Sequence, residues 1–129
     1  MKINVSVGEI LDRYSILDIK MSKIEDEKKL NNIRNEFDKL TPKVDSIYSN
    51  SIDVETLELL YTDLYNINIT LWNVENLIRQ SEVDETFGKD FIELARSVYH
   101  FNDERSQVKQ EINILTNSLL IEEKSYSEY

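Results

Sequence analysis

The stretch FIELARSVYHFNDERSQVKQEINILTNSL, residues 91–119, decides the fold. Its apolar side chains fall at Phe91, Leu94, Val98, Phe101, Val108, Ile112, Leu115 and Leu119, an alternating three-and-four spacing that lines one side of a helix. One seam position breaks the pattern: between Phe101 and Val108 the register asks for a hydrophobe at 105, and the chain supplies Arg105.

The same spacing recurs upstream. Leu57, Leu60, Leu64, Ile67, Leu71, Val74 and Ile78 form an uninterrupted seam on a preceding helix, which Asp53 is placed to cap. Beside that seam, about a quarter turn away, runs a second stripe of Tyr61, Tyr65, Asn68, Trp72, Glu75 and Arg79. The segment Glu82 to Lys89, with Phe87-Gly88, reads as the loop that joins the two helices into a long hairpin. Each arm is roughly 40 Å long at 1.5 Å per residue.

Two further helices precede the hairpin. The run Ser6-Val7-Gly8-Glu9 has the form of a capping box, and Ile10, Tyr14, Leu17, Met21 and Ile24 follow on one face while Ile16 and Ile19 lie on the other. A helix that is apolar on two faces is expected between neighbours rather than at the surface. After a break at Glu25–Glu27, the stripe resumes with Leu30, Ile33, Phe37, Leu40, Val44 and Ile47, and Pro42 inside it predicts a kink or a cap-and-restart near Leu40. Lys2 to Val5 reads as a short extended arm, and Glu122 to Tyr129 as a polar tail.

Four helical segments with short connections predict an all-α antiparallel bundle whose third and fourth helices form the hairpin, with residues 1–129 as one domain. The first helix is much shorter than the hairpin arms. Apolar length is therefore left over, and the expectation is a homo-oligomer, most simply a two-fold dimer.

Composition narrows the function classes. Two glycines and one proline are too few for the turns of a sandwich or barrel. With no cysteines, disulfides, thiolate metal sites and cysteine nucleophiles are excluded, and a reducing cytoplasmic home is the default. The formal charge of −10 argues against nucleic acid or anionic lipid as a partner. The apolar runs fall short of the roughly 20 residues that a membrane span needs, and the N-terminus lacks the core of a secretory signal.

The segments VSVGEILDRYSILDIKMSKI, KLNNIRNEF, LWNVENLIRQSE, FIELARSVYHFNDERSQVKQEIN and EEKSYSEY cover nearly the whole chain. In them it resembles an uncharacterised family of short all-helical proteins from bacteria and tailed phages, defined as a domain of unknown function. That resemblance implies a helical fold and brings no activity, cofactor or catalytic residue.

The candidate site is the flank around Arg105, which Asn102, Ser106, Lys109 and Asn113 share. In its structural reading, Arg105 pairs with a carboxylate of a facing helix, Asp18 or Glu75, and fixes helix register. In its functional reading, Arg105 and Lys109 clamp a small anion or nucleotide, with Arg79 as a third donor and Trp72 or Tyr65 as an aromatic wall, in a binding protein or an enzyme. Space separates the two: packed side chains near Arg105 favour the first, and a cavity of roughly 300 Å³ or more favours the second.

Glu9 with Asp12 and Glu55 with Glu58 have the spacing of carboxylate pairs that hold magnesium on helices, but Asp12 and Glu58 point away from their seams and read as solvated, so no metal is expected. His100 is the only histidine and groups with Glu93, Glu104 and Gln107 on the wet face, which leaves no ligand set for a di-iron bundle. There is no Gly-rich phosphate loop and no supported nucleophile. The reading is a non-enzymatic helical interaction or assembly module that self-associates, without a cofactor.

Overall fold

The computed structural model describes residues 5–116. The extended arm before Val5, the end of the seam at Leu119 and the tail at 122–129 lie outside the described residues. Among the described residues there are four helices and no strand: α1 Val7–Lys23, α2 Glu27–Ser49, α3 Val54–Asp84 and α4 Lys89–Leu115.

Each helix starts where the side chains supply a cap. Ser6 Oγ accepts the Glu9 amide of α1, Asp26 accepts the Lys29 amide of α2, and Asp53 accepts the Thr56 amide of α3. Only the serine half of the α1 capping box matches expectation, because the Glu9 carboxylate reaches Lys109 of α4 instead. α3 runs a turn further than its sequence suggests, to Asp84, and ends on Glu85 in the left-handed region at φ 55°.

Pro42 does not restart α2, which continues through it as one helix. The ring costs only the bond to the Asp38 carbonyl, on an exposed face. Thr41 Oγ1 meanwhile donates to the Phe37 carbonyl at 2.9 Å and meets Tyr14 Oη of α1 at 2.9 Å. Tyr14 also stacks on Phe37, with ring centroids 4.3 Å apart.

α1 is the hub: it packs against α2, α3 and α4, while α3 and α4 pack closely on each other. The core is built from Ile10 and Leu11 of α1, Val44 of α2, Leu57 and Leu64 of α3, and Ile112 of α4. Each such side chain removed from water contributes about 1.5–3 kcal/mol. The hairpin residues among them, Leu57, Leu64 and Ile112, lie in the half away from the loop. From Trp72 round the loop to Val108 no residue is buried, although α1 reaches this stretch at Arg105 and beside Trp72 to Arg79.

Candidate functional site

α1 lies against α4 along a face whose residues are small or polar. Gly8, Asp12 and Ser15 recur at four and three residues and share that side of α1. Across from them stand Arg105, Lys109 and Asn113 of α4, which also share one face. At the tight end, the Gly8 amide donates to Asn113 Oδ1 at 2.7 Å, and a Cβ added to Gly8 would lie 2.5 Å from the Lys109 carbonyl oxygen. Asn113 is buried, and among the described residues its Nδ2 has no hydrogen-bond partner.

Asp12 is the centre of the cluster and is 1% exposed. Arg105 engages it with two nitrogens, Nε at 3.0 and 3.1 Å from the two carboxylate oxygens and Nη2 at 2.5 Å from Oδ2. Lys109 Nζ lies 3.6 Å from the same carboxylate and 2.7 Å from Glu9 Oε2. From α3, Asn68 Nδ2 donates to Asp12 Oδ1 and to Ser15 Oγ, each at 2.8 Å. Two cations thus face two carboxylates, and an α3 amide completes the shell of the buried acid. Such an arrangement suits a register lock between α1, α3 and α4, since a buried carboxylate tolerates burial only when paired and hydrogen-bonded.

The partner of Arg105 is therefore Asp12, rather than Asp18 or Glu75. Asp18 is half-buried near Tyr61, and Glu75 is exposed, 4.0 Å from Arg79 on its own helix. Asn102 is exposed, and its Oδ1 accepts from Arg105 Nη1 at 3.4 Å. The expectation that Asp12 is solvated is overturned because α1 touches three helices and has little wet side to offer. Asn68, Ser15 and Gly8 were not singled out as site residues. For Gly8 and Ser15 the signal is the small-residue stripe that brackets Asp12, which permits close approach of α4.

The members of the suggested anion clamp fall in two places. Arg105 and Lys109 belong to the Asp12 cluster, whereas Trp72, Glu75 and Arg79 line an open groove of about 270 Å³ between α1 and α3, together with Lys20 and Asn68. Tyr65 is half-buried near Tyr61. Arg105 and Lys109 do not line that groove. Glu55, Glu58 and His100 are exposed, and no group of three or more metal-ligating side chains occurs among the described residues.

Sequence comparison adds the lineage. One family profile, described as a family of unknown function (DUF6165), matches residues 1–129. The chain belongs to that family. No match was found among curated proteins, and none among solved structures. No described helix is long and apolar enough to cross a membrane.

Two tyrosines near the core carry a pH dependence. Burial pushes the Tyr48 and Tyr61 hydroxyls above the ordinary 10.0, Tyr48 further through Glu58 and Tyr61 further through the Asp18 charge. A tyrosine whose folded value is raised adds stability that is fully present below the unfolded value and is lost as pH rises beyond it. The helical signal is expected to become more sensitive to urea as pH climbs past about 10. Tyr48→Phe with Tyr61→Phe should flatten that slope, and an unchanged slope in circular dichroism titrations would refute the assignment.

Proposed function

We propose that this protein is a cytoplasmic helical interaction module that associates with itself, most simply as a two-fold dimer, and works by assembly rather than catalysis. The observation that supports this reading is the outer half of the hairpin. Between Trp72 and Val108 nothing is buried, and Leu77, Val83, Phe87, Ile92 and Tyr99 stand exposed. Ile92 and Tyr99 line one groove with Phe91 and Ala95, and exposed apolar surface of this kind on a small chain marks an interaction site. The polar flank supports it from the other side: Arg105 and Lys109 are matched by Asp12 and Glu9, so their charge serves the fold. An acidic chain with 25 carboxylates against 15 basic residues also gains little affinity for anionic ligands from its overall field.

Sedimentation equilibrium tests the proposal. The expected result is a dimer at micromolar concentration, and a single monomeric species there would overturn it.

A further inference from the structure

The face of α4 that bonds to α1 continues toward the loop beyond the last of those bonds. The bonds from α1 to α4 run from Asn113 through Lys109 to Arg105, and no further toward the loop. Beyond them the same side of α4 changes character. It carries Ala95 with Ile92 and Tyr99 beside it, at 54% and 65% exposure, in a shallow groove of about 440 Å³ that Phe91, Arg96 and His100 complete. An internal helix-docking face thus continues as an apolar face with no described helix on it.

We infer that a second copy of this chain covers this face, its α4 lying antiparallel against α4 with the two-fold axis passing near Ala95 and Arg96. This inference rests on the self-association proposed above and names its surface. Three features of the sequence and fold favour that occupant over another protein. Ile92 and Tyr99 lie equally far on either side of the axis, so each Ile92 meets the Tyr99 of the second copy and the small Ala95 lets the helices approach. Lys89 and Asp103 are likewise equidistant from Arg96 and flank the same ridge, so Lys89 of each copy faces Asp103 of the other, twice per dimer. Lys89 is otherwise only 4.0 Å from exposed Glu93 on its own helix.

The third feature is length. The stretch from Lys89 to Asp103 is about 21 Å at 1.5 Å per residue. Paired with itself it brings the loop of one copy level with Glu104 of the other, next to Arg105, the residue nearest the loop that bonds to α1. Arg96 meets its own copy near the axis, and its long side chain has solvent within reach.

The test uses the full chain and sedimentation equilibrium, with circular dichroism to confirm that each variant keeps its helicity. Ile92→Asp and Tyr99→Asp alter exposed positions and are expected to yield folded monomers. Lys89→Asp and Asp103→Lys, each alone, should weaken association on the order of tenfold, and the two together should restore it. If the parent chain is monomeric, both this inference and the self-association reading fail. If the parent chain dimerises and Ile92→Asp and Tyr99→Asp dimerise equally well, self-association stands and this surface is wrong. If those two variants are monomeric but the double charge reversal is no better than either single one, the antiparallel two-fold arrangement is overturned.

Discussion

Asp12→Ala is expected to lose about 3 kcal/mol of folding stability in chemical denaturation, more than removal of any other side chain in the polar cluster. Its carboxylate is 1% exposed and carries Arg105, Lys109 and Asn68 at once. Without it the Asn68 amide loses one of its two acceptors, and among the described residues Glu9 is the carboxylate left paired within the cluster. Glu9 still holds Lys109 at 2.7 Å, which keeps the loss near the lower end for breaking a buried pair.

Arg105→Ala should cost less, about 1–2 kcal/mol, because Arg105 is 28% exposed on its side chain and Lys109 remains 3.6 Å from Asp12. Replacing Asp12, Arg105 and Lys109 together by apolar residues of similar size should recover most of the loss, since an apolar contact of equal volume removes the desolvation cost along with the pairing. A loss below about 1 kcal/mol for Asp12→Ala would mean that water reaches the cluster. In that case Arg105 and Lys109 would again be candidates for ligand binding.

The difference between what the sequence discloses and what it hides has a geometric cause. The hairpin is legible because α3 and α4 pack most closely on each other, so Leu57, Leu64 and Leu71 or Val108, Ile112 and Leu115 show a clean period. The caps Ser6 and Asp53 are legible because capping is local. α1 is different. It contacts three helices, so a face that lacks hydrophobes is not thereby a wet face, and Asp12 reads as solvated when it is buried.

Arg105 announces itself as a polar seam residue, but its partner depends on which turn of α1 stands opposite it. That offset is set by how far α1 slides along the hairpin. Close approach at Gly8 fixes the slide: with Gly8 against Lys109 and Asn113, one helical turn onward places Asp12 against Arg105, whereas Asp18 and Glu75 would require other offsets.

Gly8→Ala tests that placement most directly. A methyl group at position 8 would sit 2.5 Å from the Lys109 backbone oxygen and 3.0 Å from Asn113 Oδ1, closer than carbon and oxygen can approach. Backbone on a well-packed helix cannot swing aside as a long side chain can, so α1 must move off α4 by a substantial fraction of an ångström. The Gly8 to Asn113 bond and the Asp12 cluster one turn away would both be disturbed.

Alanine is the better helix former by roughly 0.5–1 kcal/mol, which would make the substitution stabilising if the site were open. Overpacking a rigid contact costs about 1–3 kcal/mol and a stretched buried hydrogen bond about 1 more, so the expected net effect is a loss of about 2 kcal/mol. Gly88 is the control, with nothing within 4 Å of an added Cβ and a φ of −82° that any residue adopts. Gly88→Ser would add a capping hydroxyl at the start of α4 and should be neutral or stabilising by a few tenths of a kcal/mol. If Gly8→Ala instead matched Gly88→Ser in raising the denaturation midpoint, α1 could not be seated this closely on α4, and the pairing of Asp12 with Arg105 that follows from that seat would fail with it.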